Sequence, residues 1–253
     1  MGTGESTLAV RTEGAGPEVL LLHGGAGPPT TWRGLEPMAG RWTMRYAYRR
    51  GYGQSPPPID GRQDFDVDAT DLEPLLAGRP HVVAHSYGGL GSSIAAARRP
   101  ELVRSLTLIE PPLYALSRGA PEAEHLRALG DEVLTHGEQM DPERLREFLL
   151  ISGAEVGDGP LGEGVLAGVR RAQGNRLASE AEPDLAAIRA AEVPVLVASG
   201  DHQPGIERIC DDLAAALAAE RLHAPGAGHF VTRAPGFLDP FEEFLRRAQQ
   251  PRG

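Results

Sequence analysis

Ser86 lies within Val82-Val83-Ala84-His85-Ser86-Tyr87-Gly88-Gly89-Leu90. An apolar run enters this stretch and small residues leave it. Val82 to Ala84 predict the end of a buried parallel strand. Ser92 to Arg99, with Ile94 and three alanines, predict a helix. Between them is a near match to the Gly-x-Ser-x-Gly turn, with Ala84 in place of the first glycine. Small residues are needed there because the backbones of strand and helix pass close together. The turn lifts the Ser86 hydroxyl above the sheet edge and aims a positively polarised helix start at whatever Ser86 attacks. A hydroxyl is a weak nucleophile and needs a base within hydrogen-bond reach. Histidine, with an ordinary pKa of about 6.5, suits a group that takes and returns a proton. Of the eight histidines, His229 in Pro225-Gly226-Ala227-Gly228-His229-Phe230 is the best placed, and His202 is a lesser candidate. His85 flanks the serine and is expected to point away from it. His23 is expected to fix its own loop, and His81, His125, His136 and His223 to serve packing or surface roles. An acid at the tip of a buried strand, Glu110, is locked by Pro111 and Pro112.

These residues must be carried by strand ends. Strands are predicted at Leu8 to Arg11, Val19 to Leu22, Met44 to Tyr48, the Val82 run, Leu102 to Ile109, Val193 to Ser199 and Arg221 to Ala224. Helices are predicted at Thr30 to Gly40, Val67 to Leu76, Ile206 to Leu217 and Pro235 to Gln249, between the strands. Alternating strands and helices imply a mostly parallel, doubly wound sheet covered on both faces. Ligands in such sheets bind at the carboxyl ends of the strands. His23 to Gly27, Ser86, Glu110, Asp201 and His229 all follow strands, so they share one edge. Leu113 to Glu192 breaks the alternation, with helices near Glu122–Thr135, Pro142–Ile151 and Val165–Ala178. The expected organisation is a core of residues 1–112 and 192–253 with a helical cap over 113–191. Most of the charges in the acidic stretch Asp60 to Glu73 are expected on a solvated loop and helix face and not in a metal site.

A chain of 253 residues with 41% hydrophobic content can bury a sizeable core. A net charge of −10 argues against nucleic acid or an anionic membrane as partner. All 25 basic side chains are arginine, which removes lysine as nucleophile or Schiff-base former. His23-Gly24-Gly25-Ala26-Gly27 is followed by no lysine, so it is no Walker phosphate loop, and Pro28 and Pro29 spoil a dinucleotide fingerprint. A single cysteine, Cys210, allows no internal disulfide and suits a reducing compartment. No secretory leader or membrane span is read, so a cytoplasmic location is expected. Met1-Gly2-Thr3-Gly4-Glu5-Ser6 formally fits a myristoylation pattern, which is too loose to weigh. No cofactor and no metal are expected, and association into a homo-oligomer is left open.

The loop His23-Gly24-Gly25-Ala26-Gly27, Arg50-Gly51-Tyr52-Gly53-Gln54-Ser55, the Ser86 turn and Gly226-Ala227-Gly228-His229 together resemble the α/β-hydrolase superfamily. The resemblance covers the chain outside the helical insertion, which is similar to that superfamily's cap. It implies an oxyanion hole from the backbone N–H groups of Tyr87 and, in the glycine loop, Gly25. In many relatives the acid lies three positions past the glycine that ends the penultimate strand; here that position is Gln203. Glu110 resembles the placement in a subset that includes zearalenone-type lactonases and some haloalkane dehalogenases. Glu110 is therefore preferred, with Asp201 as the alternative acid. Serine at the turn argues against dehalogenase or epoxide-hydrolase chemistry, which in this superfamily uses aspartate there. The expectation is a serine hydrolase acting on an ester or lactone of a moderately apolar small molecule, with Trp32, Tyr87, Leu113 and Tyr114 lining its pocket. The rivals are a lyase, a cyclase or a cofactor-free oxygenase on the same residues, and a non-catalytic binder of small molecules.

Overall fold

The computed structural model describes residues 8–250; the Met1–Ser6 stretch lies outside the described residues. Seven strands form one sheet: β1 (Val10–Glu13), β2 (Glu18–Leu22), β3 (Thr43–Ala47), β4 (His81–His85), β5 (Ser105–Ile109), β6 (Val195–Ser199) and β7 (Glu220–His223). Their spatial order is β1-β3-β2-β4-β5-β6-β7. β1 pairs antiparallel with β3, and every other pairing is parallel. β4, β5 and β6 are buried at every position, and Val82–Ala84 and Val195–Ala198 accordingly read as unbroken apolar runs, while β5 also buries Ser105 and Thr107.

The helices are α1 (Pro28–Thr31), α2 (Phe65–Leu72), α3 (Gly88–Arg98), α4 (Pro121–His136), α5 (Pro142–Ile151), α6 (Glu163–Ala172), α7 (Leu185–Ala190), α8 (Pro204–Leu217) and α9 (Leu238–Gln249). The helix expected over Thr30 to Gly40 is instead the short α1 followed by a 3₁₀ turn at Glu36–Gly40. Pro37 lacks the N–H that a continuous helix would need. The first strand starts two residues later than expected, and α6 ends at Ala172 because Gln173 turns to extended backbone. The acidic stretch is not a solvated face throughout. Asp68 and Asp71 are buried against Arg49 and Arg50, which leave the end of β3.

Successive strand residues point to opposite faces, and the core divides accordingly. Leu20, Leu22, Val82, Leu106 and Val197 pack with Phe65, Leu72, Leu90, Ile209 and Leu213 on one face. Val19, Leu21, Val83, Ile109 and Leu196 pack with Met38, Phe237, Phe241 and Leu245 on the other. Among the described residues no strand interrupts the chain between β5 and β6. That helical segment is anchored at both ends, since Leu126 of α4 and Ile188 of α7 belong to the first core cluster. Only its middle has a cluster of its own, made by Val133, Met140, Leu145, Leu149 and Val169. Hydrogen bonds tie it to the sheet domain: Arg176 N–H to Gln63 O (3.0 Å), Gln63 N–H to Asn175 Oδ1 (2.8 Å) and the Tyr87 hydroxyl to Arg176 O (2.8 Å). No helix among the described residues is long and apolar enough to cross a membrane.

The start of α3 lies hard against the end of β2. A Cβ added at Gly88 would sit 2.4 Å from the His23 carbonyl oxygen and 2.8 Å from that of Leu22, both backbone atoms that cannot swing aside. Gly88→Ala is expected to lower the unfolding free energy by about 1–3 kcal/mol. Gly168→Ala, within α6, meets nothing within 4 Å and is expected to raise it by up to about 1 kcal/mol. Urea denaturation of the two variants checks the opposite signs.

Candidate active site

Three neighbouring strands end in the same unusual way. Ser86 after β4, Glu110 after β5 and Asp201 after β6 have φ of 53°, 47° and 51°. This left-handed geometry costs a non-glycine residue roughly 1–2 kcal/mol, and such residues gather at functional sites. Ser86 is held in it by its own N–H, which donates to Ile109 O at 2.9 Å. The loop after β2 closes on the serine from the side. A Cβ added at Gly24 would lie 2.8 Å from the Ser86 Cβ, so only glycine fits. His23 fixes that loop. Its Nε2 accepts from Arg49 N–H (3.0 Å), which puts the ring proton on Nδ1 to donate to Gly24 O (2.7 Å).

Glu110 is the focus of the polar network. Its side chain is fully buried. Oε1 accepts from Gly200 N–H at 2.7 Å. Oε2 accepts from two imidazoles, His229 Nδ1 at 2.6 Å and His202 Nε2 at 3.1 Å. Burial alone would raise the carboxyl pKa; the bonds from His202 and His229 outweigh it and hold the group down at about 2. Glu110 is therefore a carboxylate with no proton to give, and both imidazoles must be the donors. The bond to Glu110 fixes the tautomer of His229 and leaves Nε2 with no protein partner among the described residues. Ser86 and His229 line the same cavity, and no hydrogen bond joins them among the described residues. Such bonds are often long until substrate closes the site.

His85 does not point clear of this network. Its Nε2 donates to the backbone oxygen of His229 at 2.8 Å, and the two rings lie 4.5 Å apart. It braces the loop that carries His229. Sequence carried no signal for this, because the partner is 144 positions away. The same holds for His202, which meets Glu110 across 92 positions. Asp201 is exposed and does not line the cavity; its N–H donates to Glu207 Oε1 at 3.0 Å. It is not brought to His229.

The cavity measures about 330 Å³ and lies between the strand ends and the helical segment. Gly25, Tyr87 and Tyr114 line it, as expected. Trp32 and Leu113 do not; both are buried in the core, where their bulk fills space beneath the strand ends. The apolar wall comes from helices, including Leu126, Val133, Phe148, Leu149, Val169 and Ile206. Arg49 also reaches the cavity, with its guanidinium 4.8 Å from the Tyr87 ring centroid and its charge paired to Asp68 at 2.6 Å.

Three buried groups tie stability to pH with the same sign. Burial, with the positive field of Arg49, lowers His23 to about 3; burial, with His229 beside it, lowers His85 to about 3. Below about 6.5 the unfolded chain binds the protons these rings refuse. Their stability is full above that pH and drains as pH falls towards 3. Glu110 adds a loss between its ordinary value of 4.5 and about 2. The urea midpoint is expected to be lower at pH 5 than at pH 7, and His85→Gln to flatten that difference. Equal midpoints at the two pH values in the parent protein would contradict it.

Comparison with known proteins bears on the same framework. The chain is 33% identical over 138 residues to esterase Rv0045c of Mycobacterium tuberculosis, covering 53% of this chain and 45% of that protein. It is 36% identical over 111 residues to 2-(acetamidomethylene)succinate hydrolase of Mesorhizobium japonicum, covering 42% and 40%. These matches span less than half the length of either relative. Among solved structures, a thermophilic esterase from Thermogutta terrifontis superposes with a TM-score of 0.67 at 21% identity, over 96% of this chain and 94% of that one. A membrane phospholipase A described as a bacterial virulence factor superposes at 0.71 and 22%, over 96% and 84%. At these identities the superpositions speak for the fold alone. The profile of the alpha/beta hydrolase family matches residues 19–247, from β2 to the last helix. With the sheet order, the serine turn after β4 and that match together, the chain belongs to the alpha/beta hydrolase family.

Proposed function

We propose that the protein is a serine hydrolase that cleaves a carboxylic ester, or the internal ester of a lactone, of a moderately apolar small molecule through an acyl-enzyme. The observation that carries this reading is the 2.6 Å contact from His229 Nδ1 to the Glu110 carboxylate inside the cavity onto which Ser86 opens. In the first step the Ser86 hydroxyl attacks the carbonyl carbon while His229 Nε2 takes its proton. Glu110 keeps the ring in the tautomer that leaves Nε2 bare, and stabilises the imidazolium once it forms. The negative charge on the carbonyl oxygen is met by the N–H groups of Tyr87 and Gly25, each worth roughly 3 kcal/mol of barrier. His229 then protonates the leaving oxygen. Water, activated by the same nitrogen, hydrolyses the acyl-Ser86 bond.

The helical wall supports an apolar substrate of moderate size, since Leu126, Val133, Leu134, Phe148, Leu149, Ile151, Val165 and Val169 outnumber the polar Tyr114, Ser152 and Asn175 in its lining. Serine at the turn supports acyl transfer over displacement by a carboxylate. The name of the Mycobacterium tuberculosis esterase supports ester cleavage at the level of reaction class.

Ser86→Ala is expected to lower ester turnover by about 10⁴-fold or more and to abolish labelling by a fluorophosphonate probe. Full activity in that variant would end the reading. The two acids separate by kinetics. Glu110→Gln is expected to lose about 10²–10⁴-fold in kcat, and Asp201→Asn to stay within about threefold. The reverse ranking would move the acid to the loop after β6.

A further inference from the structure

We infer that Glu110, His202 and His229 form a site for a Zn²⁺ ion, and that metal bound there switches the hydrolase off. The inhibitory half rests on the proposed function; the binding half rests on geometry alone. Glu110, His202 and His229 each offer a ligand atom within 4.8 Å of the other two, and Glu110 Oε2 itself touches His202 Nε2 and His229 Nδ1. Two imidazoles and one carboxylate are a donor set that suits zinc and neighbouring first-row cations, not Mg²⁺ or Ca²⁺. Zinc bonds of about 2.0–2.2 Å set tetrahedral ligands about 3.3 Å apart. The carboxylate already stands 3.1 Å from His202 Nε2, and its 2.6 Å contact with His229 Nδ1 must open by a fraction of an ångström.

The surroundings favour a cation. Glu110 is ionised and buried, and Gly200 N–H already holds its second oxygen, so Oε2 is fixed in place. The side chains of His202 and His229 keep 19% and 11% exposure, which gives an ion a path in from the loop after β6.

The consequence for chemistry follows from the imidazole tautomers. Without metal, His229 Nδ1 and His202 Nε2 carry the protons donated to Glu110. A metal ion on those two nitrogens takes their lone pairs, and each ring, staying neutral, carries its single proton on the far nitrogen. For His229 that nitrogen is Nε2. The lone pair that would accept the Ser86 proton is then gone, and Glu110 is held by the metal instead of by the base. No proton is gained or lost overall, and removal of the metal restores the starting tautomer.

The test is calorimetric titration of ZnCl₂ into the full-length protein near neutral pH, with the Ser86→Ala variant alongside. One ion per chain is expected in both. Glu110→Gln and His202→Gln are each expected to weaken binding by about tenfold or more. The glutamine at 202 keeps a donor for Glu110 while removing the imidazole lone pair, so a folded variant still reports. His223→Ala is expected to leave binding unchanged; it probes the second group of potential ligands, Asp201, Glu207 and His223. In the parent protein, ester turnover is expected to fall as the site fills, to return with EDTA and to ignore Mg²⁺. No binding, or binding that survives His202→Gln and disappears in His223→Ala, overturns the site. Binding as expected with turnover unaffected overturns the inhibitory half. Binding as expected in a protein that turns over no ester leaves the metal site standing and removes the hydrolase reading.

Discussion

The structure depends on keeping one carboxylate charged where water cannot reach it. Burying an ionised Glu110 is costly unless its lone pairs are met. Three N–H groups meet them, from Gly200, His202 and His229. All three lie on the loops that follow β6 and β7, while Glu110 itself ends β5. The bonds therefore sew the ends of three adjacent strands together. They also decide which nitrogen of His229 is bare, so the same contacts that offset burial set the imidazole in the tautomer that the proposed base requires. Charge and orientation are one arrangement here, because a carboxylate without a proton compels its partners to donate.

The backbone around this group is shaped for close approach. The serine turn fits only because the glycine loop passes within van der Waals contact of Ser86 and because α3 begins at a residue without a side chain. Three strand ends in left-handed geometry carry strain that the buried sheet absorbs. The helical segment covers them with an apolar wall, anchored at both ends in the main core and tied by the Arg176 N–H bond to Gln63 O and the Gln63 N–H bond to Asn175 Oδ1. The result is a chamber of polar floor and largely apolar roof, where electrostatic contacts act with less screening than in water.

Much of this was legible in the sequence because it is local. Val19 to Leu22, Val82 to Ala84 and Val195 to Ala198 are apolar at every position, which marks strands buried on both faces. The small residues around Ser86 and the prolines after Glu110 mark sharp turns. What sequence missed is long-range. Nothing near His85 or His202 tells that each meets a partner roughly a hundred positions away, and nothing near Asp68 tells that Arg49 buries its charge. Trp32 and Leu113 were expected at the pocket; Trp32 instead packs in the cluster with Met38 and Phe237, and Leu113 in the cluster with Leu90 and Ile209. The helix expected over Thr30 to Gly40 failed because the periodic apolar residues persist through a proline that the backbone cannot follow.

The most direct measurement is a proton NMR spectrum of protein labelled with ¹⁵N in its histidines. The bond from His229 to an ionised, buried Glu110 predicts a far-downfield Nδ1 proton assigned to His229 that disappears in Glu110→Ala. A His229 Nδ1 proton that persists unchanged in that variant would show that another group orients the imidazole, and would contradict the role given to Glu110.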